Sequence, residues 1–148
     1  MVKCLTRTLC IQTNKGPQFV DITDWVLQAA RDSAIQNGFA IVFARHTTAA
    51  VRINENEPML LGDLEEFLER VAPTHARYDH NDFTHNARNG GDGEEPNGHS
   101  HCQQLLLGAS EAVPIVNGQL LLGHWQRLFL VELDRPRERE VVVQLVGE

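Results

Sequence analysis

The chain contains seven histidines, unevenly spread. His46 follows an apolar run directly, in His46-Thr47-Thr48. His75, His80 and His85 fall in a polar stretch, His99 and His101 flank Ser100, and His124 precedes Trp125. Imidazole both titrates near neutral pH and ligates metals, so several together point to proton transfer or a divalent ion. No zinc-finger or HExxH spacing is present, and surface or capping histidines are the plain alternative. On a strand His99 and His101 would share a face. At a helix start they diverge, so at most one turns inward.

Two further groups stand beside the imidazoles. Asn54-Glu55 sits at a strand end, with Asn56 and Glu57 after it and Asp63 a helical turn or two later. Carboxylates near imidazoles supply oxygen ligands or orient a catalytic ring, although Asp63 near a helix start also serves the helix dipole. Arg135, Arg137 and Arg139 form a small basic patch whose guanidinium forks suit phosphate. Thr47, Thr48 and Ser110 add hydroxyl donors to that reading. No P-loop or GxGxxG occurs, and a solvated turn is the simpler account of three arginines.

The elements that must position these groups follow from periodicity and turn chemistry. Lys3 to Thr13 reads as a strand ended by Asn14-Lys15-Gly16-Pro17, and Phe19 to Asp21 as a brief pairing segment. A helix starts with Thr23 as N-cap and stops at Asn37-Gly38. Phe39 to Ala44 is apolar throughout, as a strand buried on both faces should be, and Ala49 to Asn54 is a short strand. Pro58 opens a second, amphipathic helix that Pro73 ends. Thr74 to Gly98 is a polar loop, long enough to be functional. A short helix from about Ser100 to Leu107 leads to a hairpin turning at Asn117-Gly118. Trp125 to Leu133 and Val141 to Val146 are the last strands. This order predicts one α+β domain over residues 1–148, with helices packed on one face of a mostly antiparallel sheet.

Composition narrows the classes. The chain has 148 residues, 42% hydrophobic, and 13 Lys+Arg against 20 Asp+Glu give a net charge of -7. That balance lacks the basic footprint of a nucleic-acid binder. No apolar h-region or membrane-length run occurs, so no membrane partner is expected. Cys4, Cys10 and Cys102 match neither CxxC nor a disulfide framework; they read as small buried thiols in a cytoplasmic protein. Trp25 is assigned to packing.

His46-Thr47-Thr48-Ala49-Ala50-Val51-Arg52-Ile53-Asn54-Glu55, the His80-Asn81 loop, the His101 helix, and the run from Ser110 through Asn117-Gly118 to Gly123-His124-Trp125-Gln126 together resemble the YjbQ-like family. The likeness continues to Val142-Val143-Gln144-Leu145-Val146-Gly147-Glu148 and so covers nearly the whole chain. It implies a small α+β subunit in a homotrimer, with polar residues near subunit boundaries. It also implies a thiamine phosphate synthase-type activity beside a main role that the resemblance does not name. In that reaction a pyrimidine diphosphate joins a thiazole phosphate and pyrophosphate leaves. The site residues carried over are His46, Thr47, Asn54, Glu55, Asp63, His80, His101, Ser110, Trp125, Gln126 and Arg137. His99 lies outside the matched part, and His124 stands where the family usually has a small or hydroxyl residue.

The resulting expectation is a small phosphorylated substrate and a divalent metal, Mg²⁺ or Zn²⁺, on His46, His80, His101 and Asp63. Glu55 is a further oxygen ligand or partner, and Arg137 neutralises the leaving diphosphate. His46, Glu55, His101 and Arg137 are the catalytic candidates; Thr47, Thr48, Asn54, Ser110, Trp125, Gln126 and Arg137 are the substrate-binding ones. A metal-dependent hydrolase and a non-catalytic trimer binding a small anionic metabolite are the alternatives.

Overall fold

The structure is a computed structural model and describes residues 1–85 and 95–148; the 86–94 part of the polar loop lies outside the described residues. Eight strands and three helices follow in the order β1 (Lys3–Gln12), β2 (Gln18–Asp21), α1 (Thr23–Ser33), β3 (Asn37–Ala44), β4 (Ala49–Asn54), α2 (Pro58–Val71), α3 (Gly98–Leu107), β5 (Ser110–Val116), β6 (Gln119–Leu120), β7 (Arg127–Glu132) and β8 (Glu138–Gly147). A single 3-10 turn at Asp79–Asn81 interrupts the polar loop. Among the described residues, no helix is long and apolar enough to cross a membrane.

The strands form two antiparallel sheets rather than one. The larger has the order β1-β8-β3-β5-β6 and the smaller β2-β7-β4. Alternation divides the small sheet's side chains between two cores. Ala49, Val51, Leu128 and Leu130 join Val42, Val113, Val143 and Leu145 of the large sheet, with Val26 and Ala30 of α1. Ala50, Phe129, Val131 and Leu133 face the other way, against Leu68 of α2 and Leu107 of α3. The fold is α+β, and among the described residues no helix covers the outer face of the large sheet.

That outer face corrects one expectation. Phe39 to Ala44 is not buried on both sides: Ala40, Val42 and Ala44 are buried, while Phe39, Ile41 and Phe43 are exposed. The doubly buried strand is β7, where every residue after Arg127 is inaccessible. Sequence cannot separate the two cases, because an apolar residue pointing at solvent looks like one pointing at a core.

Helix ends shift for readable reasons. Ala34 adopts a left-handed conformation and stops α1, leaving Asn37 and Gly38 to begin β3. Thr23 is not the cap. Its hydroxyl is buried and accepts from the Leu128 N–H (2.8 Å), while Asp21 Oδ1 accepts from the Thr23 N–H. α2 starts at Pro58 as expected, with the Glu57 carboxylate accepting from the Met59 and Leu60 N–H groups. The hairpin turns at Asn117-Gly118, both at positive φ. The cysteines, expected to be buried, are all exposed free thiols.

Candidate functional site

Two groups of the expected residues gather at opposite ends of the small sheet. The first lies where β4 begins and β7 ends. Here Asn81, in the 3-10 turn, ties the polar loop to α3: its Oδ1 accepts from the Asn97 (3.1 Å) and Gly98 (2.9 Å) N–H groups. Gly98 permits this docking, since a Cβ there would stand 2.5 Å from Tyr78 Cβ. The docked turn carries His80 onto His101, whose rings meet edge to face with centroids 4.6 Å apart.

Both α3 histidines have their proton affinity pushed below the ordinary value. For His101 burial is the main cause, with the His80 charge adding to it; for His99 it is burial alone that dominates. His99 is the inward one of the pair. Ser100 Oγ donates to the Leu133 carbonyl (2.7 Å), so it accepts from His99 Nε2 (3.1 Å), and His99 Nδ1 is left buried with no partner among the described residues. His99, which lies outside the part that the resemblance matches, is thus the more buried of the two.

The carboxylate at this end is Asp134, which the sequence reading passed over. Its side chain is almost fully buried, and Arg137 reaches it at 3.3 Å and Arg135 at 3.5 Å. The signal was an aspartate three residues before Arg137 in one tight turn. His46 completes the group from the end of β3. Its Nε2 accepts from the Glu140 N–H (2.8 Å), and burial, then the Arg139 charge, lower its proton affinity, with a smaller share from Arg137. His46, Arg137, Asp134, His101 and His80 therefore form one electrostatically linked row.

Other expected members have different roles. Arg139 is not part of a solvated turn. It lies in β8, 2% exposed, and pairs with the wholly buried Glu132 (Nε to Oε2, 2.6 Å). Glu132 also accepts from the Leu133 and Asp134 N–H groups. Thr48 belongs to this network and not to a substrate surface, since its buried Oγ1 accepts from Arg139 Nη2 (2.8 Å). Thr47 is exposed next to it. Ser110 is exposed at the start of β5, paired with Phe43 on the outer face of the large sheet.

The second group lies where β4 ends. Ile53, Asn54, Glu55, Trp125 and Gln126 line an open cavity of about 340 Å³. Trp125 precedes β7 rather than lying in it, and is 66% exposed. β4 separates the two groups by about 17 Å at ~3.3 Å per residue, so Glu55 does not adjoin His46, His80 or His101 within the chain.

The proposed metal set fails a test of fit in the single chain. His46 Nε2 is engaged by a backbone N–H, and Asp63 is exposed on the second turn of α2. No group of three or more His, Cys, Asp or Glu among the described residues is arranged to hold an ion. A larger cavity, about 510 Å³, lies between α1 and the β5–β6 hairpin; Arg31, Gln36 and Asn117 are in its lining and no described histidine is.

Comparison with known proteins agrees on one family throughout. The family described as UPF0047 protein YjbQ-like matches residues 7–148. A UPF0047 protein of Methanothermobacter thermautotrophicus is 41% identical over 143 residues, covering 97% of this chain and 92% of that protein. The UPF0047 protein YugU of Bacillus subtilis is 31% identical over 144 residues, covering 97% and 100%. Among solved structures, a YbjQ-like protein of unknown function from Sulfolobus solfataricus P2 superposes with TM-score 0.90 at 34% identity, covering both chains fully. A hypothetical protein from Aeropyrum pernix K1 gives TM-score 0.86 at 34% identity, covering 97% of this chain and 99% of that one.

Proposed function

This chain belongs to the UPF0047 YjbQ-like family, and from that premise we propose that it joins a pyrimidine diphosphate to a thiazole phosphate with release of pyrophosphate, a thiamine phosphate synthase-type reaction. The supporting observation is the row His46, Arg137, Asp134, His101 and His80. In the reaction the thiazole nitrogen attacks the methylene carbon, the carbon–oxygen bond breaks, and pyrophosphate leaves with the bonding electrons. The substrate supplies the nucleophile. What remains for the protein is to hold and neutralise phosphate. Arg137 offers a guanidinium fork, and His46 and His101, whose proton affinity burial lowers, offer N–H donors without demanding a counter-charge.

A neutral His101 equally suits a base that deprotonates water, so hydrolysis of a phosphorylated substrate is the second reading. Phosphate release without the thiazole partner distinguishes it. The test of the first is rescue of a thiamine auxotroph by this chain, repeated with His101→Ala. Rescue by the parent and its loss in the variant are expected; undiminished rescue by the variant counts against the site.

The homotrimer is part of the same proposal. Phe39, Ile41, Phe43 and Val116 are exposed together on the outer face of the large sheet, and apolar patches of that kind mark interfaces. Exposed reduced thiols suit a cytoplasmic location.

A further inference from the structure

The second core, between the small sheet and helices α2 and α3, is incompletely filled. Of the 14 residues of α2 only Leu68 is buried, and its neighbour Phe67 is 50% exposed. The gap is a cavity of about 240 Å³, floored by Phe19 and Phe129 of the sheet and roofed by Leu64, Phe67 and Leu68 of α2 and Leu107 of α3. Protein interiors hold few voids larger than a water molecule. Water in an apolar void finds too few polar partners, whereas an engineered apolar cavity of about 150 Å³ takes up benzene.

Phe19 and Phe129 meet edge to face, centroids 5.8 Å apart at 85°, a geometry that a third ring can extend. Arg52, the register partner of Phe129, brings a donor to the same lining. Its Nη1 donates to Glu111 Oε1 (2.6 Å), while Nη2 and Nε have no partner among the described residues. Gly108, at φ +86°, makes room for the guanidinium, since a Cβ there would stand 3.1 Å from Nη2. Glu111 already balances the Arg52 charge, so a second carboxylate would be repelled by Glu111 as it approached. A neutral oxygen takes the remaining N–H without that repulsion. Asn54, at the boundary with the open cavity, has its Oδ1 engaged by the Glu55 N–H and takes no part.

We propose that this cavity binds a small uncharged aromatic carbonyl compound, its ring among Phe19, Phe67 and Phe129 and its oxygen on the unpaired N–H groups of Arg52. The site stands apart from the His101–Arg137 row. No described histidine lines it, and it holds whether or not the chain is a transferase. Apolar burial supplies the affinity, and the Arg52–Glu111 pair supplies the choice of a neutral acceptor over an anion.

The test is methyl NMR of the ¹³C-labelled full chain, following Leu64, Leu68 and Leu107 during titration with acetophenone, toluene and benzoate. Val143 and Leu145, in the other core, are the internal controls. The expected result is a saturable shift of the three leucines alone. Acetophenone should bind about tenfold or more tightly than toluene, the worth of one charge-assisted hydrogen bond, and more tightly than benzoate. Arg52→Met should lower acetophenone to the toluene affinity and leave toluene unchanged, a split that a merely structural role would not produce. Leu64→Trp fills the cavity and should abolish binding of both with the control signals in place. Glu111→Gln removes the counter-charge and should strengthen benzoate. No saturable leucine shift with acetophenone overturns the proposal, as does equal affinity for acetophenone and toluene, or benzoate bound by the parent as tightly as acetophenone. Leucine signals that move on dilution alone also overturn it, because a second copy would then fill the cavity.

Discussion

His80 and His101 meet edge to face at a centroid separation of 4.6 Å, brought together from a 3-10 turn and a helix start by the side chain of Asn81. A positive charge on one ring disfavours a positive charge on the other, which adds to burial in holding His101 below the ordinary histidine range.

Replacing His80 with Asn removes that repulsion. The His101 proton affinity should then rise towards, without reaching, the ordinary value near 6.5, because the burial contribution remains. NMR titration of the ring carbons reads this directly. An unchanged His101 titration would mean that the two rings do not meet in solution.

The same chemistry predicts the pH dependence of stability. His46, His99 and His101 all bind a proton less readily folded than unfolded. Above about pH 6.5 both states are neutral at these rings and stability is flat. As pH falls through that value the unfolded chain takes up protons first, so stability declines, until the lowered folded-state values are passed. The urea midpoint should therefore fall between about pH 7 and pH 5. The lowered carboxylates Asp21, Glu57, Glu69 and Asp82 add a separate decline at more acid pH. A midpoint that rises on acidification over the first window contradicts this account.

The Arg139–Glu132 pair holds the turn that carries Asp134 and Arg137, since Glu132 accepts from the Asp134 N–H at 2.9 Å. Arg139→Met leaves a wholly buried carboxylate without its counter-ion and should cost about 3–5 kcal/mol in urea unfolding. The double change Arg139→Met with Glu132→Leu should cost less than the single one. A single-variant cost below about 1 kcal/mol would show that the pair is not buried as described.

Much of the architecture was legible because local chemistry fixed it. Pro58 at a helix start, Asn117-Gly118 in a hairpin and the alternating β8 all left direct marks in the sequence. The division into two sheets left none, since strand partners are set by contacts far apart in the chain. The grouping of the candidate site residues was not legible in the sequence. His46, His80, His101 and Arg137 lie at one end of the small sheet, whereas Asn54, Glu55, Trp125 and Gln126 lie at the other. Thr48 and Arg139 misled because a buried polar network and a substrate-binding one use the same residue types.

The apolar outer face gives an independent prediction. Ile41→Lys places a charge in the middle of that face, between Gln144 and Ala112 on the neighbouring strands. The parent should sediment as a trimer at micromolar concentration and the variant as a monomer. A parent that sediments as a monomer removes the assembly from the proposal.

Pyrophosphate release by the purified chain from a pyrimidine diphosphate and thiazole phosphate tests the role of the His101–Arg137 row most directly. The account predicts thiamine phosphate formed in step with pyrophosphate, and turnover reduced by about 100-fold or more in both His101→Gln and Arg137→Met. Turnover at the parental rate in both variants would contradict it.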